Sequence, residues 1–233
     1  MGSTNYCTLP VVCYTAPIMK IDLHVHSKEL SQCAGSSDEE MIQAAIENGL
    51  DAIVFTNHDR LVTPARLEAF NKRYAPFRIF GGIEISLETE HTIVLGIHDP
   101  ALEIGSRRAS PEDEPTRWEY PDLHRFVRKH KGFLILCHPF RYRSDISIDI
   151  ERYPPDAIEV ASHNTPIWAE AQIREIAKRV GAKVLSNSDA HVTKHFGYFY
   201  NQLMHTRQTL PEIVAALKAG EFTTVRRSAP LVA

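Results

Sequence analysis

Short runs of apolar, β-branched residues alternate along the chain with longer amphipathic runs, and this alternation limits the folds open to it. Strand-like runs lie at residues 20–26, 51–58, 78–86, 92–97, 133–138, 157–161 and 183–188. Helix-like runs lie at residues 37–48, 64–74, 120–131, 166–180 and 211–219. Strands that alternate with helices are typical of βαβ units and therefore of a mainly parallel sheet.

Local signals support the predicted helices. Ser37 is a good N-cap for the first of them, Pro166 and Pro211 stand at helix starts, and Gly181 and Gly220 can end the last two. Seven strand-like runs in one domain favour a closed or nearly closed α/β barrel over an open sheet. We expect residues 1–18 to be an extension, disordered or foreign to the natural protein, and residues 19–233 to form the domain.

Charge, hydropathy and cysteine spacing exclude several classes of protein. The net charge is −3 with neutral histidines, which leaves no basic excess for a nucleic-acid backbone. No apolar run approaches the roughly 18–20 residues of a membrane span. The cysteines, Cys7, Cys13, Cys33 and Cys137, fit neither a disulfide framework nor a paired zinc site. They predict reduced thiols and a cytoplasmic location.

Side chains that bind metals collect at or near the ends of the predicted strands. They are His24, His26, His58, Glu84, His98, His138, Asp189 and His191. In an α/β barrel the carboxyl ends of the strands open onto one face, so we expect these side chains to converge there.

The spacing within this set indicates metal binding. Residues two apart on a strand point the same way, so His24 and His26 can reach one ion, and Asp189 and His191 can reach one cluster. Imidazole and carboxylate ligands suit zinc, iron or manganese. So many ligands exceed the needs of one ion, and we expect two or three divalent ions that share a carboxylate bridge.

Five motifs built on these residues resemble the polymerase and histidinol phosphatase (PHP) superfamily. In chain order they are Asp22-Leu23-His24-Val25-His26-Ser27, Thr56-Asn57-His58-Asp59, Gly82-Ile83-Glu84, Cys137-His138-Pro139 and Ser188-Asp189-Ala190-His191. The resemblance implies a distorted seven-stranded (β/α)7 barrel and a phosphoesterase site with two or three metal ions. It assigns the ligands as follows: His24, His26, Glu84 and Asp189 to the first ion, Glu84, His98 and His138 to the second, and His58 and His191 to the third.

The chain departs from the family pattern in two places. Relatives often carry an Asp or His after the His-x-His pair, where residues 28–33 here read Lys-Glu-Leu-Ser-Gln-Cys, so Cys33 is the nearest candidate ligand for a third ion. Asn57 stands where relatives often have an Asp, and it would orient His58 less strongly.

As a mechanism, we expect a hydroxide that bridges the ions to attack a phosphoryl group. Asp189 or His191 would handle a proton at the leaving oxygen, and Arg141 would clamp the phosphate. The expected substrate is a small phosphate ester, a nucleotide or a nucleic-acid end. His163 could contact it, whereas His91 is interpreted as structural or solvated and Trp168 as a packing residue.

Two alternatives stay open. One is an amidohydrolase-like hydrolase, although that family typically offers a lysine at a barrel strand end and no predicted strand here ends in lysine. The other is a metal-binding regulatory module without turnover. The sequence does not indicate the oligomeric state.

Overall fold

The computed structural model describes residues 17–106 and 117–227, so most of the predicted extension at 1–18 lies outside the described residues. The α-helices are α1 (Asp38–Glu47), α2 (Pro64–Arg73), α3 (Tyr120–Lys129), α4 (Glu170–Val180) and α5 (Leu210–Ala219). The strands are β1 (Met19–Val25), β2 (Ala52–Phe55), β3 (Arg78–Gly81), β4 (Ile83–Ser86), β5 (His91–Leu95), β6 (Phe133–Leu136), β7 (Ala157–Ala161), β8 (Lys183–Ser186), β9 (Phe199–Leu203) and β10 (Phe222–Arg226).

The ten strands of the described ranges form two five-stranded sheets. The first has the order β10-β9-β1-β2-β3, and the second has the order β4-β5-β6-β7-β8. The pairs β1–β2, β2–β3, β6–β7 and β7–β8 are parallel, whereas β5 runs antiparallel to both of its neighbours and β9 is antiparallel to β1 and β10. The fold is therefore a two-sheet α/β arrangement.

The predicted seven-stranded barrel is wrong, because the sheets do not close into one. The predicted strand at 78–86 breaks at Gly82, and its halves, β3 and β4, belong to different sheets. A Cβ at Gly82 would lie 2.7 Å from Cδ2 of Leu95 and 3.1 Å from the carbonyl oxygen of Val94. The chain can pass this close to β5 only because residue 82 has no side chain.

A shared apolar core lies between the sheets, and helices cover their other faces. This core contains buried residues of both sheets, for example Ile21, Val54, Ile93 and Ile135. Helices α1 and α2 pack on the first sheet and α3 and α4 on the second. Helix α5 joins the central core, next to the first residue of β1 and the last of β5. It therefore covers the end of the molecule from which β1 and β6 start.

The predicted helix ends are confirmed where capping residues signal them. The side chain of Ser37 accepts a hydrogen bond from the backbone of Glu40, and the Glu40 side chain accepts one from Ser37 in return. Gly181 and Gly220 end α4 and α5 with φ values of 75° and 77°, which only glycine adopts without strain. None of the helices in the described ranges combines the length and apolar content that a membrane crossing requires.

Candidate metal centre

Strands from both sheets bring acidic and imidazole side chains to one buried cluster. β1 carries His24 and leads to His26, β4 carries Glu84, and the segments that follow β6 and β8 supply His138 and Asp189. All five side chains are buried, four of them completely. Single bridges of the backbone, from Val25 to Ala190 and from His58 to Glu84, tie these segments together.

Four atoms at the centre of the cluster face one another. Nε2 of His24 lies 3.0 Å from Nε2 of His26, 3.3 Å from Oε2 of Glu84 and 3.2 Å from Oδ1 of Asp189. Nε2 of His26 lies 3.0 Å and 3.3 Å from the same two oxygens. Around an ion bound at about 2.0–2.2 Å, neighbouring ligand atoms stand roughly 3–3.5 Å apart. The spacing is that of ligands around one cation.

The rings of His24 and His26 each use Nδ1 to donate a hydrogen bond away from the centre. When the rings are neutral, this leaves their Nε2 atoms without a proton. Nδ1 of His24 lies 3.0 Å from the Glu159 carboxylate, which can only accept. The Ser31 hydroxyl donates to Asn57 and therefore accepts from Nδ1 of His26 at 3.2 Å. In the neutral rings both Nε2 atoms then carry lone pairs.

Two carboxylate oxygens at the centre of the cluster receive no hydrogen bond from the described residues. They are Oε2 of Glu84 and Oδ1 of Asp189, which are buried and have imidazole nitrogens close by. Buried carboxylate oxygens need a hydrogen bond or a cation. A metal ion would satisfy all four central atoms together, so the residues present fit a metal site.

Glu84 contacts histidines through both of its oxygens. Oε2 faces His24, His26 and His58, the last at 3.1 Å. Oε1 lies 3.1 Å from Nδ1 of His91 and 3.2 Å from Nε2 of His138. One carboxylate thus faces two groups of imidazole nitrogens, one through each of its oxygens.

The structure brings seven of the eight predicted ligands together and leaves out His98. Four overlapping groups of possible ligand atoms are present among the described residues: His24–His26–Asp189, His24–Glu84–His138, His58–Glu84–His91 and His26–His58–His191. His98 is exposed and follows β5. Because β5 runs antiparallel to β4 and β6, its end points away from the cluster and its first residue, His91, points into it.

Cys33 is not part of these groups either. It is exposed and lines an open cleft of about 690 Å³ together with Lys28, His58, Arg60 and His91. Burial, with a smaller effect of the Glu84 and Asp189 carboxylates, raises the pKa of its thiol. The cleft leads to the cluster through His58 and His91. A cleft of about 720 Å³ beside Trp118 and Tyr120 is lined by none of the cluster residues.

Besides His91, sequence reasoning missed Glu159, which contacts the cluster from behind. It is completely buried in β7. Its Oε1 contacts His24 and accepts from the Asn187 amide at 2.9 Å, and its Oε2 accepts from the backbone N–H of His138, also at 2.9 Å. An acidic residue in the middle of an otherwise apolar strand, Ala157–Ala161, was the signal that could have found it.

The pKa shifts in the cluster show that its buried carboxylates favour positive charge beside them. Burial raises the pKa of Glu84 and of Asp189, but the histidines around them, His24 above all, outweigh it and hold both well below the usual range. Burial lowers the pKa of His24, but the carboxylates of Asp189, Glu84 and Glu159 outweigh it and raise it well above normal. Burial lowers the pKa of His58 to about 3, which keeps its ring neutral and able to bind a metal.

Arg141 lies at the rim of the cluster, with Nη1 3.7 Å from Oδ2 of Asp189. The same oxygen accepts from the Asn164 amide at 2.6 Å. His191 is placed by a hydrogen bond from its Nδ1 to the backbone carbonyl of Asp189 at 2.9 Å. His163 lies farther out, stacked on His195 with ring centroids 4.3 Å apart.

Two cluster residues have unusual backbone angles. His138 and Asp189 have φ values of 25° and 53°, in a region that residues other than glycine seldom adopt. The hydrogen bond from the His138 N–H to Glu159 helps to hold the first of them. Strained backbone that is fixed by its surroundings is characteristic of functional sites.

Comparison with known proteins identifies the family. A family model described as the PHP domain matches residues 22–219. The chain belongs to the PHP domain family. This match includes all the PHP cluster residues named above, from His24 to His191. No curated protein matches the chain.

Solved structures of similar fold share little sequence with this PHP chain. A Bacteroides vulgatus protein with two domains, described as containing a predicted PHP-like metal-dependent phosphoesterase, is 17% identical, with a TM-score of 0.65 over 97% of this chain and 69% of its own. PsfC from Pseudomonas syringae is 18% identical, with a TM-score of 0.61 over 91% and 92%. An amidohydrolase from Chromobacterium violaceum, solved with sulfate and without metal, is 20% identical, with a TM-score of 0.57 over 88% and 97%.

Proposed function

We propose that this PHP protein is a metal-dependent phosphoesterase that hydrolyses a phosphate ester at a cluster of two or three divalent ions. The observation that carries the proposal is the set of four converging acceptor atoms on His24, His26, Glu84 and Asp189. Glu84 would join two ions, since each of its oxygens faces its own group of imidazoles. Zinc, manganese and iron all suit this ligand chemistry.

The ligand assignment follows the contacts. His24, His26 and Asp189 would hold the first ion with Oε2 of Glu84, and His138 would hold the second with Oε1. His91 takes the place that the sequence assigned to His98. His58 and His191 would complete a third position beside His26.

Arg141 is the residue that would bind the phosphoryl group. Its guanidinium is partly exposed and lies against Asp189, so it can turn to a phosphate oxygen above the cluster while its stem stays in place. Bound divalent ions would supply Lewis acidity and activate a water near neutral pH. The pairing of a cationic cluster with an arginine suits a phosphate dianion better than a neutral amide.

His191 is a better candidate than Asp189 for moving a proton at the leaving oxygen. Asp189 is buried, its Oδ2 accepts from Asn164, and its pKa is held low by His24, so it would stay ionised. His191 is only partly buried, and its Nδ1 already donates to a carbonyl, so in a cluster of two ions, with the third position unfilled, its Nε2 would be left for proton exchange.

Amidohydrolase chemistry is the second candidate, since one structural neighbour carries that name. That family typically offers a lysine at a strand end, and none of the strands in the described ranges ends in one, which disfavours it. Cys33 and Cys137 are free thiols, which supports the proposal that the protein acts in a reducing compartment such as the cytoplasm.

Metal removal tests the proposed function. The protein is treated with a chelator and assayed on a phosphomonoester, a phosphodiester and an amide, before and after addition of manganese, zinc or iron. We expect phosphate release to disappear without metal and to return with at least one ion. Equal phosphate release with and without metal, or hydrolysis of the amide alone, would contradict the proposal.

A further inference from the structure

Two large aromatic side chains are exposed beside the cluster. Tyr142 is 69% exposed and Trp168 is 66% exposed. Exposing an aromatic ring forgoes a large hydrophobic gain, and a tryptophan is on average a well-buried residue. A binding surface is one reason for a chain to keep such rings in water.

Short chain segments connect both rings to the cluster. Tyr142 follows Arg141, whose guanidinium lies 4.8 Å from the centroid of the Tyr142 ring and 3.7 Å from Asp189. The Trp168 ring lies 5.9 Å from that of Phe140, two residues after His138. Asn164, four residues before Trp168, donates to Asp189. Both rings therefore lie on chain segments that leave the cluster beside Asp189, the carboxylate that Arg141 and Asn164 contact.

The position fits the organic part of a substrate. A phosphate held by the cluster and Arg141 would direct the rest of the ester outward, past the guanidinium. The Tyr142 ring lies against that guanidinium, and Trp168 is carried by the segment that follows Asn164, which bonds Asp189. Their π faces offer stacking area to any flat ring, and no hydrogen-bonding edge of a particular base is required.

We propose that Tyr142 and Trp168 form an aromatic platform that binds a planar ring in the organic part of the phosphate ester, such as the base of a nucleotide. This inference rests on the proposed phosphoesterase function, because the ring is taken to be part of the ester that is hydrolysed. Binding of the ring itself requires no turnover. Base stacking on an aromatic side chain changes affinity by about tenfold or more.

The first test compares AMP with ribose 5-phosphate in the metal-loaded protein, because both carry the same 5′-phosphomonoester and only AMP has a ring. We expect kcat/KM to favour AMP by about tenfold or more, mainly through KM. Trp168→Ala and Tyr142→Ala should bring the ratio toward one, and Trp168→Phe and Tyr142→Phe should keep most of it. Met204→Ala is the control, since Met204 is 49% exposed and follows β9, whose last residue pairs with Met19 at the start of β1, the end far from the cluster.

The second test measures ring binding without hydrolysis. The chain has two tryptophans, so in Trp118→Phe the fluorescence reports on Trp168 alone. Adenosine should quench it saturably, and ribose should not. Saturable quenching supports the platform even where neither ester is hydrolysed, a result that would contradict only the proposed function. Where the esters are hydrolysed, an AMP preference that is absent from the wild type or kept in both alanine variants would overturn the platform. A lack of quenching would overturn it in every case.

Discussion

Glu159 shows how a single residue outside the ligand set can control the centre. Its two oxygens contact the His24 ring, the backbone of His138 and the amide of Asn187. A carboxylate behind a metal-binding histidine fixes the ring orientation and the tautomer and raises the basicity of the facing nitrogen. Glu159 is therefore a positioning residue that acts through His24.

Glu159→Gln tests this role. The amide can still accept from one neighbour, but it offers no negative charge to the Nδ1–H of His24, so we expect metal affinity to fall by about 10–100-fold. The measurement is a competitive titration of metal against a fluorescent chelator, with circular dichroism to confirm the fold. Asp156→Asn is the control, because Asp156 precedes β7 and bonds the backbone of Leu134 at the end of the strand away from the cluster. Equal losses in both variants would argue against positioning.

His91 and His98 form a natural pair of variants at the two ends of β5. His91 contacts Glu84, whereas His98 is exposed at the opposite end. His91→Ala should lower the bound metal and phosphate release by an order of magnitude or more, because Glu84 then loses one of the two nitrogens on Oε1. His98→Ala should leave both unchanged. Elemental analysis and a phosphatase assay on the two variants check this, and a larger effect at His98 would reverse the assignment.

At the scale of elements, β4 and β5 explain what the sequence could and could not predict. Periodicity located β5 but merged β4 with β3 into one run at 78–86. It carries no information on direction, and the expectation of βαβ units predicted mainly parallel strands. β4 and β5 are joined by a short connection, and a short connection between paired strands makes them antiparallel. His91 therefore faces the cluster, and His98, which the sequence predicted there, does not.

Other elements follow the same logic. β9 and β10 were missed because their sequences, Phe-Tyr-Asn-Gln-Leu and Phe-Thr-Thr-Val-Arg, mix polar and apolar residues. The predicted helix at 166–180 starts as a 3₁₀ turn, Ile167–Ala169, before α4. That turn leaves Trp168 exposed, so its interpretation as a packing residue is wrong. The sequence placed His24, His26 and His138 at the ends of strongly apolar strands, where each strand end was clear, and the structure brings these side chains together.

Gly82 is the element-scale test of how the two sheets are joined. In Gly82→Ala the new methyl would press on Leu95, on the carbonyl of Val94 and on Thr56, so the Leu95 side chain must move and the backbone of β5 must yield slightly at Val94. We expect the free energy of unfolding to fall by about 1–3 kcal/mol, as for overpacked sites. Glu84 belongs to β4, the strand that follows Gly82, so the metal affinity should fall as well. Urea unfolding of the metal-free and metal-loaded variant measures both, and an unchanged midpoint would contradict the close contact.

For the whole molecule, the centre depends on the way in which the two sheets meet. His24 comes from the first sheet, and Glu84, His138 and Asp189 come from the second or from segments that follow its strands. The two sheets also contact each other between β8 and β9. There the side-chain amide of Asn201 in β9 hydrogen-bonds with Asn187 and with the backbone of Ser186 in β8. Because the ligands come from both sheets, metal binding should stabilise their association and not only one loop.

The central claim is that Glu84 joins two ions in one cluster, and Glu84→Ala tests it most directly. The wild type and the variant are loaded with the same metal, freed of excess and measured by elemental analysis, with His98→Ala as the control. The wild type and His98→Ala should hold at least two equivalents per chain. Glu84→Ala should lose more than one equivalent, since both of its oxygens face imidazole ligands. A Glu84→Ala protein that keeps its full metal content would contradict the bridged cluster.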